Sequence, residues 1–175
     1  MPLYSLVVTN IHTEEVAQKH FHLSEFSYFQ RKPIREYIMM ISKEVSKRLQ
    51  TYDFQVFEQK FNEMTITVFV KIYNEYAYVS CGKEYPVNIA NKFLSECRTC
   101  HDIEGLLKDY QNPKEHDILD SIQKDLKETR EISVKTLNSL LERNEKLEDL
   151  VKRSSELSVS SKIFYKAAHK RNKCC

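Results

Sequence analysis

Residues Asp117 to Arg171 read DILDSIQKDLKETREISVKTLNSLLERNEKLEDLVKRSSELSVSSKIFYKAAHKR, a run of 55 without glycine or proline. Steps of four and three taken alternately from Arg143 reach Leu119, Ile122, Leu126, Thr129, Ser133, Thr136, Leu140, Leu147, Leu150, Ser154, Leu157, Ser161, Phe164, Ala168 and Arg171. All except Arg143 and Arg171 are apolar or small, the a/d seam of a coiled coil. As one helix the stretch would span about 80 Å, too long to fold onto one small core. Its seam therefore has to meet partner helices. Arg171 falls where a seam can fray, but Arg143 is central. There its guanidinium loses hydration worth several kcal/mol unless partner helices supply acceptors. A single polar seam residue also sets register and oligomer state at some cost in stability. Snorkelling out of a weak seam is the plainer alternative for an isolated arginine.

The flanks of that arginine read Ser139-Leu140-Leu141-Glu142-Arg143-Asn144-Glu145-Lys146-Leu147-Glu148-Asp149-Leu150-Val151. They resemble the central layer of an R-SNARE, the arginine-bearing helix of the four-helix bundle that drives vesicle fusion. The likeness continues through Ser160-Ser161-Lys162-Ile163-Phe164-Tyr165-Lys166-Ala167-Ala168 to Cys174-Cys175. This tail is similar to that of the soluble, prenylated and palmitoylated R-SNAREs, the Ykt-six type. The resemblance implies an ionic layer in which Arg143 meets three glutamines, one from each partner helix. It implies Leu119, Ile122, Leu126, Leu140, Leu147, Leu150, Leu157, Phe164 and Ala168 as core layers, and residues 117–171 as the R-SNARE motif. It also implies covalent lipids as the only attached groups, palmitoyl on Cys174 and prenyl on Cys175, in a tail of residues 172–175. In that family the second cysteine belongs to a C-a-a-X box, whereas Cys175 is the last residue here. A trimmed mature end, a shortened chain and a double-cysteine terminus all fit this departure.

Composition narrows the rest. Lys plus Arg number 27 and Asp plus Glu 25, so no global field points to nucleic acid. Two glycines leave no room for a Walker-type or dinucleotide-binding loop, and no small-molecule substrate is indicated. No charged-then-apolar leader opens the chain and no run approaches eighteen apolar residues, which leads to the expectation of a cytosolic protein. The basic run Lys162, Lys166, Lys170, Arg171 and Lys173 can add about 1 kcal/mol per charge at an anionic leaflet. The expected membranes are the cytosolic faces of Golgi, endosomal or vacuolar compartments. Five cysteines, an odd number, read as reduced thiols. Cys97-Arg98-Thr99-Cys100-His101 fits the C-x-x-C-H pattern of haem attachment. That chemistry needs export, and zinc would need a second ligand pair, so neither is expected. His12, His20 and His22 read as solvent-facing strand histidines. No nucleophile elbow or paired catalytic carboxylate is evident, and an enzyme is not expected.

Upstream of the long stretch, Leu3–Thr9 and Glu15–Leu23 read as strands. Pro33–Leu49 reads as a helix with proline in its first turn and the stripe Ile34, Ile38, Ile41, Val45 and Leu49. Met39 and Met40 fall on the opposite face and read either as an adaptable docking patch or as a merely tolerated exposed pair. Strands are predicted at Asp53–Glu58, Met64–Ile72 and Tyr76–Cys81, then a helix opening at Tyr85-Pro86, then a short one over Ile103–Tyr110. The order is an α+β domain, a five-stranded antiparallel sheet flanked by helices. With Phe26-Ser27-Tyr28-Phe29-Gln30-Arg31 and Glu84-Tyr85-Pro86 it resembles a longin (profilin-like) domain over residues 1–110. Residues 111–116 form a polar hinge before the long α-helical SNARE segment.

Two functions compete. One is an R-SNARE zippering with three glutamine-bearing SNARE helices; the other is a homodimeric coiled-coil tether or adaptor. Paired arginines in a homodimer seam would repel, which disfavours the tether. Val134, Leu137, Leu141 and Val151 form a second apolar stripe outside the seam. Longin domains of the resembled family fold back on their SNARE helix and shelter the lipid. A closed state is therefore expected, with the long helix broken into segments around residues 1–110 and the prenyl chain near Met39 and Met40.

Overall fold

The computed structural model describes residues 2–49, 51–61, 64–116, 132–141 and 145–171. A mixed sheet carries strands β1 (Leu3–Asn10), β2 (Val16–Phe21), β3 (Gln55–Phe61), β4 (Met64–Tyr73), β5 (Tyr76–Gly82) and β6 (Val134–Thr136), in the order β2-β1-β5-β4-β3-β6. Five of them are antiparallel neighbours, as their alternating sequences demand. In β4, Ile66, Val68, Val70 and Ile72 point to one face and Phe69 to the other. The first face continues through Tyr4, Val7, Phe57, Ala77, Val79 and Cys81, and packs on helix α1 (Tyr28–Arg48). The second, with Leu3, Leu6, Val8 and Val56, packs on α2 (Val87–Cys97) and α3 (Ile103–Asp109). Asn74, at φ 53°, makes the β4–β5 turn in a conformation that asparagine tolerates.

The strand count corrects the expectation. The sheet has six strands rather than five, and the sixth is parallel: Val134, Lys135 and Thr136 pair with Val56, Phe57 and Glu58. That strand comes from the stretch read as one long helix. Among the described residues that stretch comprises β6, a 3-10 turn at Leu137–Leu140, α4 (Leu147–Arg153) and α5 (Val159–Arg171). The physical reason is burial. A lone helix leaves its apolar seam in water, while a chain broken at β-branched Ile132–Thr136 and at Ser154–Ser158 can lay its leucines on α1.

Helix α1 also starts five residues before the predicted Pro33. Ser27 donates from both N–H (3.2 Å) and Oγ (2.9 Å) to Gln30 Oε1, a side-chain closure of the first turn that overrides proline as a start signal. Pro33 consequently sits inside the helix. Gln111 fastens the predicted hinge to the sheet, its Nε2 donating to Leu3 O (2.7 Å) and Leu107 O (2.8 Å). Tyr110 stacks on His116 with centroids 3.9 Å apart.

Candidate interaction face of the first helix

Helix α1 is buried on two sides. Ile34, Ile38, Ile41 and Val45 form the predicted stripe, while Tyr37, Met40, Ser42 and Ser46 are buried with them. The extra burial comes from residues 137–141 and 145–165, which run back along α1 from its C-terminal end toward its middle. Arg48 anchors the start. Its Nη1 meets Glu145 Oε2 at 2.8 Å and its Nε meets Glu44 Oε2 at 3.0 Å. Burial acts to lower the Arg48 pKa, but the two carboxylates outweigh it and hold the guanidinium more firmly charged than usual. Glu145 also pairs with Arg153, and Lys43 with Glu156.

Between these anchors lies an apolar contact. Leu147, Leu150, Val151 and Leu157 are all buried and belong to the same core cluster as Met40. Met40, Leu137, Leu140, Leu147 and Leu150 line a cavity of about 10 Å³, roughly the space of one water molecule. Further along, Tyr165 stacks on Tyr37 (5.7 Å between centroids, 27° between planes). Burial raises the Tyr37 phenol well above its ordinary value and pushes Tyr165 up to about 12, so both stay neutral.

Glu36 caps α5 from across the interface. It accepts from Ser158 N–H at 2.9 Å and Ser158 Oγ at 2.8 Å, placing a carboxylate at a helix N-terminus. Burial would raise the Glu36 pKa, but bonds from Ser161 and Ser158 and the charge of Lys32 prevail and hold it below the ordinary 4.5. A carboxyl depressed by docking stabilises docking above its free pKa and loses that contribution as pH falls through the depressed value. Glu36→Ala should therefore weaken docking of α5 at neutral pH by about 1–3 kcal/mol, the cost of two lost charge-assisted hydrogen bonds. Glu36→Gln should flatten the acid limb of the docking curve. Tyrosine fluorescence titrated from pH 7 downward on wild type and both variants checks this; identical curves for all three would contradict it.

The predicted site residues distribute unevenly over this face. Core-layer residues Leu147, Leu150 and Leu157 are buried against the domain, and Leu140 and Phe164 are half-buried. Of the off-seam stripe, Leu137 and Val151 are buried and Leu141 half-buried, while Val134 stays 46% exposed on β6. Met39 and Met40 are not exposed. Met40 is 2% accessible and Met39 is partly buried, because the returning chain covers the face that the helix pattern left open. Leu119, Ile122, Leu126, Arg143, Cys174 and Cys175 lie outside the described residues, as does the side chain of Ala168. The sequence reading missed Glu36, Tyr37, Arg48, Ser158 and Tyr165. Only Tyr37 carried a signal, since Ile34, Tyr37, Ile38 and Ile41 already define a stripe wider than one face. His22 binds Ser24 Oγ at 2.9 Å, and His20 lies 3.9 Å from Glu104. No group of metal-ligating side chains occurs among the described residues.

Residues 118–175 match the synaptobrevin family. The chain is 34% identical to the synaptobrevin homolog ykt6 of Schizosaccharomyces pombe, over 87% of this chain and 86% of that one. The chain belongs to the Ykt6-type synaptobrevin homologues. Two further members of the family bear this out. The synaptobrevin homolog YKT6 of Debaryomyces hansenii is 34% identical over 87% of this chain and 86% of its own. The VAMP-like protein YKT61 of Arabidopsis thaliana is 31% identical over 87% and 85%. This Ykt6-type chain is thus a SNARE of vesicle trafficking and membrane fusion, from a family of trafficking proteins rather than enzymes. The synaptobrevin match begins where α3 and the Gln111 clasp have ended, so it contains all the segments that return along α1. No helix among the described residues is long and apolar enough to cross a membrane.

Proposed function

We propose that the chain is an R-SNARE that zippers with three glutamine-bearing SNARE helices and is held inactive by its own longin domain. The observation that carries this reading is the double use of Leu147, Leu150 and Leu157. They are a/d seam positions of the heptad pattern, and they are buried against the domain that carries α1. A leucine cannot fill both cores at once, so fold-back and bundle exclude each other. Closing is favoured only by the difference between the two burials, less the entropy of ordering the segments.

In the bundle, Arg143 would supply the polar layer that fixes register. Arg143→Leu should leave three partner glutamines without their donor and weaken assembly by about 3 kcal/mol or more. Arg143→Gln should be better tolerated, because amides can satisfy one another. Thermal melting of the bundle formed with three glutamine-SNARE helices tests the layer; equal stability and register for wild type and both variants would rule it out.

Membrane attachment is proposed to reside in palmitoylated Cys174 and prenylated Cys175, aided by the basic run, on the cytosolic face of Golgi, endosomal or vacuolar membranes. Beside Met39 an open groove of about 480 Å³ runs over Phe21, with Lys19, Arg35, Glu36 and Glu156 around it. His20 and Glu104 complete its lining and Arg35 lies 5.2 Å over the Phe21 ring, so only Met39 and the edge of Phe21 offer apolar cover, and the proposed shelter of the prenyl chain near Met39 and Met40 rests on the closed state alone. The cavity beside Met40, walled by Leu147 and Leu150, has space for about one water molecule and is too small for a lipid chain.

A further inference from the structure

We propose that β6 is a two-state segment that leaves the sheet before α4 and α5 detach, and that its change from strand to helix gates bundle assembly. The inference rests on the fold-back reading above and adds an order of events to it.

The returning chain is attached in two different ways. Helices α4 and α5 are held by side chains: Leu147, Leu150, Val151 and Tyr165 are each no more than 6% accessible. Strand β6 is held by its backbone. All three of its side chains are exposed, although its ladder partners Val56 and Phe57 are fully buried. Among the described residues it has one further side-chain tie to β3, the exposed hydrogen bond from Lys135 Nζ to Gln55 Oε1 at 2.7 Å. Peeling β6 away therefore uncovers little apolar surface of its own, whereas lifting α4 uncovers several leucines. Zippering that starts at the Leu119 end reaches β6 first.

The composition of the segment sets the barrier. Ile132, Val134 and Thr136 are β-branched, favoured on a pleated edge and disfavoured in a helix. Its seam positions Ser133 and Thr136 are small and polar, so the bundle gains little burial here to offset that preference. Secondary-structure preference is then the main term that distinguishes the two states of β6, and it can be altered without touching a buried contact. Ile132 and Val134 are 37% and 46% exposed and lie outside the seam, so replacing them spares both cores.

Hydrogen exchange by mass spectrometry on the full chain tests this, comparing wild type, Ile132→Ala/Val134→Ala and Val134→Ile. The alanine variant should exchange roughly tenfold faster over residues 132–141, with Leu147–Tyr165 unchanged. A soluble acceptor of three glutamine-SNARE helices should capture it faster by a similar factor. Val134→Ile, which keeps the strand preference, should match wild type in both. The proposal is overturned if 132–141 and 147–165 accelerate together, since the segments then form one unit. It is equally overturned if the alanine variant is captured no faster. Unprotected exchange over 132–141 in wild type, with 147–165 slow, rejects the gate and leaves the fold-back standing. Unprotected exchange over both stretches rejects the fold-back as well.

Discussion

Met40→Glu is expected to release residues 145–165 from α1 and to raise hydrogen exchange across Leu147–Tyr165 by about a hundredfold or more. The side chain is 2% accessible and shares a cavity with Leu137, Leu147 and Leu150. A carboxylate there would lose its hydration, and Arg48, the cation among the described residues that line the cavity, is already engaged by Glu44 and Glu145. The substitution leaves the SNARE motif unaltered. Bundle stability should therefore be unchanged while the rate of bundle formation and the membrane-bound fraction rise. Retained protection across α4 and α5 in the variant would show that Met40 does not hold the closed state together.

Loss of the lipid sites should act more strongly still, on residence rather than on opening. Each buried methylene of an anchor contributes about 0.8 kcal/mol, so one chain gives reversible attachment and two give stable residence. On the proposed dual-lipid anchor, Cys175→Ser should make the protein wholly cytosolic, because the variant would lose the prenyl chain and, with it, the membrane arrival that palmitoylation of Cys174 would require. Cys174→Ser should leave one lipid and a protein that cycles on and off. Fractionation and photobleaching recovery in cells distinguish these states; firm membrane binding of both variants would eliminate the dual-lipid anchor.

The central sheet was legible because its strands carry a period of two, clear in Thr65–Val70, and because Pro86 and the Val87–Cys97 stripe mark α2. The start of α1 was misread because Pro33 is a conspicuous signal and Ser27–Gln30 a quiet one. The heptads between Asp117 and Arg171 were legible as a seam but not as a structure. A pattern of leucines at a/d spacing specifies that one face must be covered, not by what. The cover in this fold is α1, and the leucines reach it through breaks at Ile132–Thr136 and Ser154–Ser158 that periodicity alone does not mark. Met40 was read as a docking face because the helix pattern leaves it off the sheet side, and its burial comes from a neighbour more than ninety positions away in the chain. The polar ties between Glu36 and Ser158 and between Arg48 and Glu145 leave no local signature at all.

The position of β6 bears on what a permanently opened molecule would suffer. The two rims of the sheet are guarded differently. The β2 rim carries exposed Lys19 and an irregular register at Val8/Thr9, features that discourage pairing with another chain. The β3 rim carries exposed Glu58 and Lys60, but Val134–Thr136 covers it where the buried Val56 and Phe57 lie directly behind. Opening for good would leave that backbone row without its partner. The first hazard for such a mutant is then self-association and clearance by quality control, ahead of any misdirected fusion.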